Sequence, residues 1–253
     1  MYLCHSNMIG IFDSGAGGLS VYREIRKLLP SEKYVYFSDN ANCPYGDKSR
    51  EFITDRARAI TKFLLAEGCE AIVVACNTAT AAAISTLRGE FPDIPFVGME
   101  PAVKPAALGT RTGVIGVLAT AGTLKASKYL DTKEKYTDGI KVVEHVGQGF
   151  VELVESGILD GPQAEKTVEA SLRPLLDEGA DKIVLGCTHY PFLKDVICAL
   201  AGPDVEVIDP APAAARHLED VLTQRGLIRH DGPATRLESS GDPATLRLLY
   251  ERL

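Results

Sequence analysis

A chain of 253 residues with a net charge of -7, 45% hydrophobic residues and six cysteines suits one large domain or two ordinary ones around a substantial core. The acidic balance argues against a nucleic-acid partner, which wants a basic face, and it gives an anionic substrate no long-range attraction, so a bound acid must be held by local donors. No apolar run reaches the ~18 residues of a membrane helix. The opening MYLCHSNMIGIF lacks the basic start and apolar core of a signal peptide, and the cysteines are too sparse for a disulfide scaffold, so a cytoplasmic protein with reduced thiols is expected.

Strand signals alternate with helical stretches along the whole chain, the pattern of parallel α/β sheets with right-handed crossovers. Ile9 to Phe12 reads as a strand that runs into a Gly-rich turn, Asp13 to Leu19. The glycines do not make a dinucleotide fingerprint, since Ser20 takes the third place, and no lysine follows as a phosphate loop needs. What the turn offers is Asp13 at a strand end, the Ser14 hydroxyl and backbone N–H groups; the plain alternative makes Asp13 only the cap of the next helix. A second strand, Tyr34 to Ser38, leads to a Pro- and Gly-containing turn from Asn42 to Ser49, where Tyr45 and Gly46 lie, and then to a helix from Ser49 to Glu67. The strand Ile72 to Ala75 ends on Cys76, and Asn77 and Thr78 open an Ala-rich helix. A thiol beside that positive helix end should titrate below its usual ~8.5. Further strands are expected at Phe96–Val97, Gly113–Leu118, Lys141–Val146, Ile183–Gly186 and Val205–Ile208, with a helix from Gly161 to Glu178. The fourth of these ends on Cys187-Thr188-His189, which should open another helix with Pro191 in its first turn. That C-x-H lacks the spacing of a structural zinc motif, so no metal is expected. The short stretch before Ile9 leaves no N-terminal regulatory extension expected.

The chain repeats itself. LLAEGCEAIVVAC, Leu64 to Cys76, aligns without gaps on LLDEGADKIVLGC, Leu175 to Cys187, with seven of thirteen positions identical, the cysteine among them. Ile9-Gly-Ile-Phe-Asp-Ser likewise matches Ile115-Gly-Val-Leu-Ala-Thr, which sets Thr120 opposite Ser14. Two similar α/β domains related by duplication are expected: residues 1–98 with a returning tail, 209–253, and residues 99–208, with the active site in the cleft between them. The tail should pack back on the first half through amphipathic Ala213–Leu222 and Pro243–Leu253. Cys4, Cys43, Cys69 and Cys198 have no counterpart in the repeat and read as incidental.

Each half thus brings one thiol, but different titratable helpers, Asp13 in one and His189 in the other. Chemistry with that near-symmetry takes a proton off one face of a carbon and puts one onto the other, with thiolate and thiol exchanging roles. A Cys187/His189 amidase would leave the second thiol unexplained. A binding protein without catalysis, or a racemase acting on aspartate or hydantoins, remains a rival.

Asp-Ser-Gly-x-Gly-Gly-Leu (Asp13 to Leu19), Pro-Tyr-Gly-x-Lys-Ser (Pro44 to Ser49), Ala-Cys-Asn-Thr-Ala (Ala75 to Ala79) and Gly-Cys-Thr-His-Tyr-Pro (Gly186 to Pro191) together resemble the glutamate racemases. The resemblance implies interconversion of L- and D-glutamate by two-cysteine proton transfer, which supplies D-glutamate for peptidoglycan. It implies Cys76 and Cys187 as acid/base residues, Asp13 assisting the first and His189 the second. Substrate contacts fall on Asp13, Ser14, Tyr45, Gly46, Asn77, Thr78, Thr188 and His189, with Thr120, Thr123 and Glu155 as further members. No cofactor is implied, and neither cysteine motif holds a lysine to anchor pyridoxal phosphate. Family members often carry Cys-Pro where this chain has Gly147-Gln148. A hinge near Val97 to Pro101 would let the halves close on the substrate and exclude water. The partner is then a small molecule, glutamate, and a homodimer is among the assemblies open to the chain.

Overall fold

The computed structural model describes residues 7–230 and 232–253; residues 1–6, which include Cys4, and position 231 lie outside the described residues. The chain divides into two compact units, residues 1–99 with 211–253, and residues 100–210. In chain order the first unit opens with β1 (Met8–Asp13), α1 (Leu19–Leu28), β2 (Lys33–Ser38), α2 (Arg50–Ala66), β3 (Cys69–Val74), α3 (Asn77–Glu90) and β4 (Phe96–Gly98). The second follows as α4 (Val103–Gly109), β5 (Val114–Ala119), α5 (Ala121–Leu124), α6 (Ser127–Tyr136), β6 (Lys141–Val146), α7 (Phe150–Glu155), α8 (Gly161–Asp177), β7 (Lys182–Gly186), α9 (Lys194–Ala201) and β8 (Glu206–Ile208). The chain then returns to the first unit with α10 (Ala211–Arg225), β9 (Ala234–Ser239) and α11 (Ala244–Tyr250).

Both sheets are parallel throughout. The first has the order β4-β3-β1-β2-β9 and the second β6-β5-β7-β8. Taken from the other edge, the second sheet runs β8-β7-β5-β6, which repeats the first four strands of its fellow. The duplicated segments occupy the same place in each: α2 and α8 both end at a glycine in the left-handed region, Gly68 (φ 86°) and Gly179 (φ 84°), before β3 and β7. Only glycine takes that conformation without a Cβ penalty, which is why the repeat keeps Glu-Gly at this point. The central strands are buried on both faces, so they read as unbroken apolar runs rather than alternating ones.

Two differences from the sequence reading stand out. The strand β9, at the edge beside β2, is absent from it: ATRLES carries a single large apolar residue, because an edge strand half open to water needs no more. And the second cysteine does not open an α-helix. In the first copy the N–H of Thr80 closes the first helical turn on the carbonyl of Cys76 at 2.8 Å. The equivalent N–H in the second copy would belong to Pro191, which has none. The chain turns instead through the shorter bond from Tyr190 N–H to the Cys187 carbonyl, 3.1 Å, into a 3₁₀ turn at Tyr190–Leu193.

Candidate active site

In the first unit the strand order reverses between β1 and β3, the point of an open parallel sheet at which loops part and ligands are received. Asp13 ends β1 and is fully buried. Its Oδ2 accepts the N–H groups of Gly15 (3.3 Å) and Gly18 (2.9 Å), so the Gly-rich turn wraps its backbone around one carboxylate. Tyr36 on β2 braces the same turn by donating to the Gly15 carbonyl at 3.0 Å. A Cβ on Gly18 would stand 2.7 Å from both the Asp13 Cβ and the Tyr36 hydroxyl, so a side chain there would push the turn off the carboxylate. The cap position of α1 falls to Gly18, so Asp13 organises the turn that leads into the helix rather than capping it, and does so at the switch point.

Cys76, 5% exposed, caps α3: its Sγ accepts the N–H of Ala79 at 3.5 Å and lies 3.8 Å from the Ser14 hydroxyl. A helix N-terminus and a backbone N–H aimed at the sulfur both favour the thiolate. Asn77 and Thr78 follow on the first turn of α3, both buried. The Asn77 side chain is 3% exposed, and neither its oxygen nor its nitrogen has a hydrogen-bond partner. A buried amide left in that state costs about 1–3 kcal/mol, a cost found where a group is kept for a ligand.

Tyr45 lies deeper than a turn tyrosine should, 1% exposed and packed in the apolar cluster that holds Cys76 and Ala79. Its hydroxyl donates to Asp39, a fully buried carboxylate. Arg56 grips Asp39 with two bonds, 2.9 and 2.7 Å, and Asn42 adds one at 3.0 Å. Burial alone would lift the Asp39 carboxyl, but Arg56, then Tyr45 and Asn42, outweigh it and hold the group below the ordinary carboxylate range. Burial, then the Asp39 charge, pushes the Tyr45 phenol far above its ordinary value, so it stays a donor at any neutral pH. Sequence reasoning missed Asp39 and Arg56. The available signal was position, for Asp39 follows β2 as Asp13 ends β1.

In the second unit Cys187 directly follows β7, at the corresponding reversal of strand order beside β5. Its Sγ lies 3.8 Å from His189 Nδ1, and His189 Nε2 lies 2.7 Å from Glu155 Oε1 on α7. An ionised carboxylate only accepts, so in the neutral ring Nε2 carries the proton and Nδ1 turns its lone pair to the thiol. Tyr190 packs edge-on against Phe150, with ring centroids 4.8 Å apart, and fills the space above Gly147. A Cβ on Gly147 would come within 2.6 Å of the Tyr190 ring, so a side chain there would displace it. Thr188 and Thr123 are buried. Thr120 and Thr123 share a 3.0 Å hydroxyl bond, and Thr120 also caps α5.

Cys69 is buried in the first core, where burial pushes its thiol up to about 12, and Cys198 is an exposed residue of α9. Cys43 is half-buried, beside Pro44. None of the five described cysteines is disulfide-bonded. Among the described residues no helix is long and apolar enough to cross a membrane.

Residues 9–218 match the family model for Asp/Glu/Hydantoin racemase. The chain belongs to that racemase family. A glutamate racemase from Pseudomonas aeruginosa is 49% identical over 230 residues, 91% of this chain and 87% of its relative. Among solved structures, Escherichia coli glutamate racemase in complex with L-glutamate and the activator UDP-MurNAc-Ala superposes with a TM-score of 0.85 at 34% identity, covering 97% of this chain and 94% of that one. The Francisella tularensis glutamate racemase in complex with D-glutamate gives a TM-score of 0.83 at 32% identity, covering 98% and 93%. The racemase described here is thus an isomerase whose first unit gathers Asp13, Ser14, Cys76, Asn77 and Thr78 at one strand reversal, with Tyr45 and Gly46 on the loop that follows β2. Its second unit gathers Cys187, Thr188, His189 and Glu155 at the other.

Proposed function

We propose that this racemase interconverts L- and D-glutamate without a cofactor, using Cys76 and Cys187 as its two acid/base groups. The observation that carries the reading is that each unit presents one buried thiol at the same topological place, with a different helper: Ser14 and the Asp13 turn beside Cys76, and the Glu155–His189 pair beside Cys187. One thiolate takes the α-proton, leaving a short-lived carbanion, and the opposite thiol returns a proton on the other face. The thiolate and thiol have then exchanged places, which suits turnover in the reverse direction.

The neighbouring donors suit an acidic amino acid. The Asn77 amide can give an N–H to a carboxylate and take one from the ammonium group, and Ser14, Thr78 and Thr188 add hydroxyls. Thr120, Thr123 and Gly46 are further candidates. Glutamate is favoured over aspartate or hydantoins because the relatives holding L- and D-glutamate share about a third of this sequence over nearly its whole length. Proton transfer by one positioned group supplies only ~10² to 10⁴ in rate, so orientation and exclusion of water must add the rest. In this reading the enzyme works in the cytoplasm and supplies D-glutamate for peptidoglycan, hence for cell-wall biogenesis and cell shape.

The test is racemisation in heavy water, without added cofactor, of glutamate, aspartate and a hydantoin. Glutamate should turn over fastest and the product enantiomer should carry deuterium at its α-carbon. Cys76→Ser and Cys187→Ser should each lower the rate by about 10² to 10⁴. Product without solvent label, or either variant working at the parent rate, would refute the two-thiol scheme.

A further inference from the structure

We infer that the turn after the returning strand β9, Ser239 to Asp242, is a positioning device for the Pro44-Tyr45-Gly46 loop, acting through Asn40. The inference rests on the reading above, in which that loop contacts the substrate.

The strands β2 and β9 run parallel in register and finish together, Ser38 beside Ser239. Beyond them the two chains stay joined. Ser240 N–H donates to the Ser38 carbonyl at 3.0 Å, and Ala41 N–H donates to the Ser240 hydroxyl at 3.1 Å. Asn40 is the hub. Its Oδ1 accepts the Ser239 hydroxyl (2.7 Å) and the Gly241 N–H (2.8 Å), and its Nδ2 donates to the Asp242 carbonyl. An asparagine side chain offers four hydrogen-bond places, and three of these go to a segment about 200 residues away along the chain. An asparagine that merely formed its own turn would spend them on neighbours.

Asn40 opens the 3₁₀ turn Asn40–Asn42, which Asn42 N–H closes on the Asp39 carbonyl at 2.9 Å and Cys43 N–H on the Asn40 carbonyl at 3.3 Å. Its far end delivers Pro44 and Tyr45. The preceding residue, Asp39, takes the Tyr45 hydroxyl. The tail therefore holds the root of the loop at two adjacent residues, Asn40 and Ala41, which fixes where the backbone leaves β2, while Asp39 fixes where Tyr45 comes to rest. Gly241 fits this join closely, since a Cβ there would stand 3.0 Å from Asn40 Oδ1 and 3.3 Å from Ala41 N. The device lies wholly within the first unit.

Misplacing a binding loop by a fraction of an ångström weakens substrate binding while the proton-transfer groups stay where they were. Asn40→Ala should raise KM for glutamate about tenfold and change kcat less than about threefold, with Ser240→Ala giving a smaller shift of the same kind. Amides of residues 43–48 should exchange with deuterium about tenfold faster in Asn40→Ala, with β1 unchanged. Leu222→Ala, a buried change on α10, is the control for loss of stability alone and should leave KM at the parent value. If Asn40→Ala does not fold, Ser240→Ala decides by the same measurements. A parent-like KM in both variants, or a KM rise matched by Leu222→Ala, overturns the inference. If the parent protein does not racemise glutamate, the proposed function fails on its own, while the exchange arm still decides the join: unchanged protection of residues 43–48 overturns it.

Discussion

Arg56→Ala tests the buried charge beneath the Tyr45 loop. Asp39 is fully buried, and Arg56 is its only positively charged hydrogen-bond partner among the described residues, through bonds of 2.9 and 2.7 Å. Breaking a buried pair by removing one partner costs about 3–5 kcal/mol, because the other charge is left without compensation. The Arg56 side chain is 31% exposed, so water can partly replace it, and about 2–3 kcal/mol is the better figure here. At roughly 2–4 °C per kcal/mol for a protein of this size, the melting temperature should fall by about 4–12 °C in calorimetry at pH 7. The Asp39→Asn/Arg56→Ala double variant leaves no stranded charge, and Tyr45 can still donate to the amide oxygen, so it should regain much of that loss. A single variant melting within about 1 °C of the parent, or a double variant no more stable than the single, would refute the account.

Asn77→Ala removes a buried amide that has no partner in the protein, so it should leave the melting temperature unchanged or raise it while KM for glutamate climbs about tenfold or more; a clear loss of stability would show the amide is paired after all. The pH dependence of stability follows from Asp39. Its carboxyl is held below the unfolded value of ~3.9, so its contribution is fully present above that pH and is lost as pH falls through the folded value. Melting temperature should therefore drop more steeply below about pH 4 in the parent than in Asp39→Asn, and parallel curves would exclude the effect. Gly147→Ala would drive a methyl into the Tyr190 ring at 2.6 Å and should cost about 1–3 kcal/mol, read as an earlier urea midpoint. Glu155→Gln weakens the hold on His189 and should lower kcat/KM about 10- to 100-fold, equally in both directions because the two enantiomers are equal in free energy; parent-like values would remove Glu155 from the site.

Much of this architecture was legible because parallel strands buried on both faces announce themselves as apolar runs, and because a duplicated segment marks its own equivalent positions. Cys76 and Cys187 could be singled out from the other cysteines by that duplication alone, and His189 by its place beside the second. Asp39, Asn40 and Arg56 stayed hidden for a physical reason. Asp39 meets Arg56 across from α2 and Asn40 finds its partners at the end of β9 and beyond, while Ser-Asp-Asn-Ala-Asn reads locally as nothing more than a polar turn. The strand β9 was missed for a related reason: one face of it meets water, and its place is fixed by pairing with β2 rather than by its own hydrophobicity. The 3₁₀ turn after Cys187 was readable in principle, since Pro191 removes the one donor an α-helix needs there.

The first unit is discontinuous, and that governs how the molecule is born. Its sheet cannot be completed until Ala234–Ser239 leaves the ribosome, whereas residues 100–210 form an unbroken stretch that can close its own sheet beforehand. Between the emergence of Ser38 and that of Ala234, synthesis at ~5–20 residues per second takes on the order of ten to forty seconds. Throughout that interval the outer rim of Lys-Tyr-Val-Tyr-Phe-Ser is an open row of amides and carbonyls, able to template pairing with a neighbouring nascent chain. Rapid overproduction should thus fill inclusion bodies with molecules arrested at this stage, and slowing translation or cooling the culture should recover them.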